Sequence, residues 1–328
     1  MRLSRRTALA ALAAVPLAAW GARADEAGWP TRPIRLVAPY APGGTVDIVA
    51  RLLAAELGPI LGQTVMVENR PGGAAVLGTE AVARAAPDGH SFVLVDMSHA
   101  IVPAVQAAGG YSIPYDPIGD FTPVTLAAVS PQALLVKSTL AAQNIAELVS
   151  LARSRPNGLS FGNGGVGAVS HLMAGLLRLR TGIPIVDIPY RGSGPVVQDL
   201  AAGTLDAAFS PIATACSLIE DGKLRILAIS GEGRLESYPD VPTFREQGVD
   251  IVVEHWFGVL GPAGVPEPVV ARLHAVIARA ETSATIQRRF DQLSLLPAAT
   301  GPQAFADLIR TELRRWDEVV RLTGVRPV

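Results

Sequence analysis

Cysteine is nearly missing from this chain: Cys216 is the only one in 328 residues, so no intramolecular disulfide can form. Its neighbours are apolar or small, which suits a buried structural thiol better than a nucleophile. Beyond residue 24 there is no apolar stretch of the roughly 20 residues that a bilayer-spanning helix requires, so the mature chain is expected to be soluble. Positive charge is not in excess, and no basic cluster interleaved with aromatics occurs, which argues against a nucleic-acid partner. Low-complexity linkers and repeats of solenoid period are missing too. The five histidines, His90, His99, His171, His255 and His274, show no metal-ligand spacing among themselves or with Cys216, so no metal or cofactor is expected.

What is present begins with an export signal. Residues 1–24 combine basic Arg2, Arg5 and Arg6, an apolar run over 8–20 broken by Pro16, and Ala22-Arg23-Ala24 as a cleavage site. The paired arginines fit a twin-arginine signal or an ordinary secretory one, and either places the mature protein in the periplasm. Cleavage removes four arginines and no acid, so the net charge falls from −1 to −5. The remaining length is enough for two α/β domains, each with its own core.

Short aliphatic runs alternate with helical patterns. Candidate strands cover 34–38, 64–68, 91–96, 124–129, 133–137, 159–162, 185–189, 207–210, 226–230 and 256–261. Helices with apolar residues three and four apart fall between them, at 47–61, 145–155, 170–181 and 195–202. This alternation predicts an α/β fold with parallel sheets and crossover helices. The tail, 267–280, 284–293 and 302–324, reads as helices without intervening strands. Two segments, 122–130 and 251–261, look like crossings between halves. They predict a discontinuous layout with a hinge: lobe 1 from 25–123 and 251–328, lobe 2 from 124–250.

Two glycine-rich turns stand between a strand and a helix, one in each half. The first is Pro39-Tyr40-Ala41-Pro42-Gly43-Gly44-Thr45-Val46-Asp47; the second is Gly162-Asn163-Gly164-Gly165-Val166-Gly167-Ala168-Val169-Ser170-His171. Backbone N–H groups at a helix start, with the positive end of the helix dipole, suit an anion. The second turn also fits G-x-G-x-x-G, with Asp187 twenty residues past Gly167 where a ribose-binding acid would stand. A nucleotide-binding protein or exported α/β enzyme is therefore the alternative reading. Gly158-Leu-Ser160-Phe-Gly162 matches a nucleophile elbow only formally, because Ser160 lies in the strand rather than at its exit. No carboxylate pair or Ser/His/Asp order suggests catalysis, so the chain is not read as an enzyme.

These blocks, in this order, resemble the Bug/TctC family of extracytoplasmic solute receptors. The matching runs extend from Trp29 through Pro39–Arg51, Val67–Ala74, Pro87–His90, Pro114–Pro117, Asp120–Val124, Ser160–Leu172, Ile188–Pro195, Asp199–Asp206, Gly222–Ala228 and Pro239–Thr243. The resemblance implies a type II periplasmic-binding fold, whose lobes close on a small carboxylate. It implies service to the membrane components of a tripartite tricarboxylate transporter; the mature chain is separately expected to be a monomer. The carboxylate would be held largely by loop amides, helix N-termini and hydroxyls. Carried over by position, lobe 1 contributes Tyr40, Ala41, Gly43, Gly44, Thr45 and Asp47, the loop 69–74 with Gly72 and Gly73, and the pair Ser98 and His99. Lobe 2 contributes Asn163, Gly164, Gly167, Ser170 and His171, then Tyr190, Gly192 and Ser193, and finally Asp206. Val46, Ala168, Val169 and Ser210-Pro211 depart from the family pattern in a less polar direction.

Overall fold

A computed structural model describes residues 28–190 and 192–326. The expected signal, residues 1–24, lies outside them. In chain order the strands are β1 (Ile34–Ala38), β2 (Val65–Asn69), β3 (Ser91–Asp96), β4 (Phe121–Lys137) and β5 (Leu159–Asn163). They are followed by β6 (Ile185–Pro189), β7 (Ala207–Pro211), β8 (Leu224–Ile229), β9 (Glu254–Pro262) and β10 (Leu296–Thr300). The helices are α1 (Thr45–Leu61), α2 (Val76–Ala83), α3 (Ser98–Ala108), α4 (Ile145–Ser154) and α5 (Val169–Thr181). Then come α6 (Ser193–Ala201), α7 (Ile212–Glu220), α8 (Glu267–Glu281), α9 (Ala284–Gln292) and α10 (Pro302–Thr323). None of these helices is long and apolar enough to cross a membrane.

Each half repeats one plan. In the first, β1 pairs in parallel with β2 and β3, and β3 pairs antiparallel with β9. In the second, β5 pairs in parallel with β6 and β7, and β7 pairs antiparallel with β4. The strand order β2-β1-β3-β9-β4-β7-β5-β6 runs through both. β4 belongs to both halves: residues 121–131 pair with β9, and from Gln132 onward the partners are β7 and β8. Pro131, which has no N–H to give to a ladder, stands where the partners change. The expected pair of strands, 124–129 and 133–137, is thus one continuous strand, and the sheets are mixed rather than wholly parallel. The return crossing lies beside it, with Val253 N–H donating to the Ser230 carbonyl at 2.8 Å just before β9.

The tail needs one correction. Between α9 and α10 runs β10, antiparallel to β4 with an irregularity between Pro297 and Thr300. Its sequence, Leu-Pro-Ala-Ala-Thr, has little of the β-branched alternation that marks a strand, and the broad β4 edge recruits it instead.

Among the described residues, three apolar clusters hold the fold together. One fills lobe 1 around Leu53, Phe92, Phe257 and Phe290, and a second fills the outer part of lobe 2 around Leu135, Val197 and Ile212. The third crosses between them: Val95, Ile101 and Val105 from lobe 1 share it with Phe161, Leu172 and Phe209 from lobe 2 and with Trp316 from α10. α10 lies against α3, α5 and β4, so it straddles both halves. At about 25 cal/mol per Å² of buried apolar surface, such a seam strongly favours keeping the lobes joined along that side. The space between them therefore lies on the opposite side, where the strands end.

Candidate ligand-binding site

The C-terminal ends of β1, β5 and β7 point into one inter-lobe cavity of about 580 Å³. Four helices begin on its wall. The residues that precede α1, α5, α6 and α7 are Gly44, Ala168, Gly192 and Pro211; all four line the cavity, and none caps its helix with a side chain. Asn144 and Ser283 cap α4 and α9, and α2, α3, α8 and α10 start uncapped outside this lining, so it is the convergence of four starts on one space that marks the site. An uncapped start leaves N–H groups without intrahelical partners and adds about half a positive charge from the dipole. One lobe 1 helix and three lobe 2 helices thus surround one space in which an anion is favoured.

Of the residues carried over by position, Tyr40, Ala41, Gly43, Gly44 and Thr45 line the cavity from lobe 1. Gly164, Ser170, Gly192 and Ser193 line it from lobe 2. The two lobe 2 turns form one surface, because Gly192 N–H donates to the Gly164 carbonyl at 3.2 Å.

The glycine turn after β5 differs from the expected amide cradle. Gly164 N–H donates to Ser170 Oγ at 2.9 Å, Gly165 N–H to Asn163 Oδ1 at 3.0 Å, and Gly167 N–H to His171 Nδ1 at 3.1 Å. These three amides are occupied within the turn, so the Ser170 hydroxyl proton and the start of α5 are what this corner offers a ligand. A pyrophosphate would need those amides free. Asp187, the proposed ribose acid, pairs with Arg178 at 3.3 Å and is outside the cavity lining. The nucleotide reading loses both of its supports.

The remaining carried-over residues lie behind the wall. Asp47 accepts from Gly43 N–H at 2.9 Å, from Asn69 Nδ2 at 2.8 Å and from Arg51 at 3.0 Å, and so braces the first turn. Burial opposes its charge, but Arg51, Gly43 and Asn69 together hold its carboxyl below the usual carboxylate range. Gly72 and Gly73 adopt positive φ in a loop outside the lining. Ser98 donates its N–H to Asp96 Oδ1 at 3.1 Å. His99 is a core histidine: its Nε2–H donates to the Pro117 carbonyl at 2.8 Å, and its ring stacks on Tyr115. Burial pushes it down to about 4, so it is neutral.

In lobe 2, burial also lowers His171, whose Nδ1 serves as an acceptor for the turn. Tyr190 gives its hydroxyl to Asp199 at 2.6 Å; that bond to a carboxylate, with burial, raises it to about 12. Asp206 is at the far end of its strand from the cavity. β7 runs parallel to β5, so Pro211 reaches the cavity while Asp206 pairs with Lys137 and Arg155, each at 2.9 Å.

The sequence reading missed the cavity floor. Asp96 ends β3 and His255 lies on β9, which pairs beside it; His255 Nε2 is 3.0 Å from Asp96 Oδ2. Tyr40 donates its hydroxyl to Asp96 Oδ1 at 2.7 Å, and Gln132 Nε2 lies 3.2 Å from His255 Nδ1. Burial opposes the Asp96 charge, yet His255, the Tyr40 hydroxyl and the Ser98 N–H hold its carboxyl below the usual range. Burial and the adjacent Asp96 charge raise Tyr40 well above its ordinary value, so it remains a donor. Phe257 and Leu293, with Ala213 and Thr214 at the start of α7, complete the wall. A separation of 159 positions between Asp96 and His255 leaves no local signal for this group.

Residues 49–325 match the model of the tripartite tricarboxylate transporter family receptors, TctC, and the chain belongs to that family. Among solved structures it is similar to Rpa4515 of R. palustris with adipate, at 33% identity and a TM-score of 0.83, over 92% of this chain and 100% of that one. MatC (Rpa3494) from Rhodopseudomonas palustris with bound malate is 34% identical with a TM-score of 0.78, over 89% and 99% of the two chains. The periplasmic binding protein BugD is 31% identical with a TM-score of 0.79, over 92% and 100%.

Proposed function

We propose that this protein is a periplasmic receptor that captures a small carboxylate between its two lobes for a tripartite tricarboxylate-type uptake system. The single observation that carries the reading is the convergence of four uncapped helix starts on one cavity, from both lobes. An anion there meets unpaired N–H groups and dipole ends, and among the described residues that line the cavity none is a lysine or arginine. Two of the similar solved structures hold carboxylates, Rpa4515 with adipate and MatC with bound malate, which supports this reading. The signal in residues 1–24 supports export, followed by cleavage after Ala24. Lobe 1 is taken as 25–123 and 251–328 and lobe 2 as 124–250, with the hinge near Pro131, where β4 changes partners. The receptor acts as a monomer that binds and releases rather than transforms its ligand, and it delivers that ligand to membrane components of the transporter. Native mass spectrometry of freshly purified protein, followed by calorimetry with a panel of carboxylates, tests the reading. A bound organic acid, or binding of one panel member, supports it; a bound dinucleotide and no carboxylate binding would contradict it.

A further inference from the structure

The floor of the cavity is a directed chain of hydrogen bonds, and it ends on an atom that the protein leaves open. Asp96 is an ionised carboxylate with Oδ1 already accepting from the Tyr40 hydroxyl and the Ser98 N–H. Oδ2 can therefore only accept from His255 Nε2, at 3.0 Å, so that nitrogen carries the proton. Gln132 Nε2, an atom that can only donate, stands 3.2 Å from the other ring nitrogen, so Nδ1 is the acceptor. That donation fixes the amide: with Nε2 turned toward the imidazole, Oε1 is the remaining polar end. Gln132 is 1% exposed and lines the cavity, and among the described residues its Oε1 accepts no hydrogen bond. Its backbone cannot drift, because Gln132 N–H donates to Ser230 Oγ at 2.8 Å and its carbonyl accepts from Ser230 N–H at 2.9 Å.

We infer that Gln132 is a specificity-determining residue, whose Oε1 accepts a hydrogen bond from a hydroxyl group on the bound carboxylate. This rests on the carboxylate reading above. Gln132 faces the cavity, so a ligand that displaces water from Oε1 without replacing its hydrogen bond incurs about 1–3 kcal/mol, which a ligand that brings a donor avoids. A neutral amide oxygen accepts from a hydroxyl without needing a charged partner, and three lone-pair sites of Asp96 are already filled by Tyr40, Ser98 and His255. The ligand class is thus a hydroxycarboxylate, with its carboxylate toward the helix starts and its hydroxyl toward the hinge strand.

The test uses matched pairs that differ by one hydroxyl, succinate with malate and adipate with 2-hydroxyadipate, measured by calorimetry on wild type and on Gln132→Met. Wild type should bind the hydroxylated member of at least one pair about tenfold or more tightly, as expected where a site is built to hydrogen-bond a hydroxyl. In Gln132→Met, which keeps length but loses the acceptor, that preference should fall to within about threefold. Equal or tighter binding of the unsubstituted members by wild type overturns the inference while leaving the receptor reading intact, and needs no variant. Retention of the preference in a folded Gln132→Met overturns it as well. Binding of neither pair also overturns the inference, while the receptor reading then stands or falls with the wider carboxylate panel.

Discussion

Gly167 in lobe 2 lies against Val105 in lobe 1: a Cβ built on Gly167 would stand 3.0 Å from Val105 Cγ1 and 3.2 Å from Cγ2. The last glycine of the second turn is therefore a joint between lobes, and its φ of +79° is one that L side chains rarely adopt. Gly167→Ala should lower stability by about 1–3 kcal/mol through strain and overpacking together. Denaturant unfolding checks this. A variant as stable as wild type would mean that the seam yields freely at Val105.

Asp206 separates a structural role from a ligand-binding one. It is buried, paired with Lys137 and Arg155, and it also accepts from Ser160 N–H and Oγ at 3.1 and 3.2 Å. Asp206→Asn should cost about 1–3 kcal/mol of stability and leave affinity within about twofold. Burial opposes the Asp206 charge, but these partners hold its folded-state carboxyl below the ordinary value. Its contribution is therefore complete above the unfolded-state value and is lost as pH falls through the lower folded one. Melting temperature should thus fall less steeply on acidification in Asp206→Asn than in wild type. Loss of binding in a folded variant would contradict this placement.

Glu281 has the opposite sign. Burial at the end of α8 raises its carboxyl to about 8, despite N–H contacts from Ala298 and Ala299, and its Oε1 has no partner among the described residues. The folded protein holds this proton where the unfolded chain has released it. Stability contributed by the neutral form is complete below the unfolded value of 4.5 and declines as pH rises toward 8. Glu281→Gln, which mimics the neutral acid, should melt higher than wild type at pH 8, and the gap should narrow toward pH 5. A gap that does not change with pH would rule out titration of Glu281 as the cause.

Much of this architecture is legible in the residues. The glycine turns and the helices that follow them are local features, and so the start of α1 at Thr45 and of α5 at Val169 fall close to where the sequence puts them. What the sequence hides is set by pairing between distant segments. β10 exists because β4 offers it an edge, and the Asp96–His255–Gln132 chain exists because β9 lies between β3 and β4. Strand direction explains Asp206: its distance from Pro211 along the chain is small, but the two ends of β7 face opposite sides of the lobe. The occupied amides of Gly164, Gly165 and Gly167 illustrate the same limit, since glycine content shows that a turn can form but not which N–H groups it leaves free.

Gly44→Asp tests the central claim most directly, because stability and binding should move apart. Gly44 precedes α1 with φ −78° and ψ 166°, and a Cβ there meets only the Ala41 carbonyl oxygen, at 3.8 Å. Aspartate is a preferred residue at such a start and should keep or raise stability by a few tenths of a kcal/mol. Its carboxylate would also occupy the N–H groups of α1 and repel an anion in the cavity. Calorimetry with the tightest-binding carboxylate of the panel should show affinity reduced at least about tenfold, while Gly233→Asp, with nothing within 4 Å of its Cβ and outside the cavity lining, binds as wild type does. Normal binding by a folded Gly44→Asp would contradict the account, because the ligand would then not be held at the convergent helix starts.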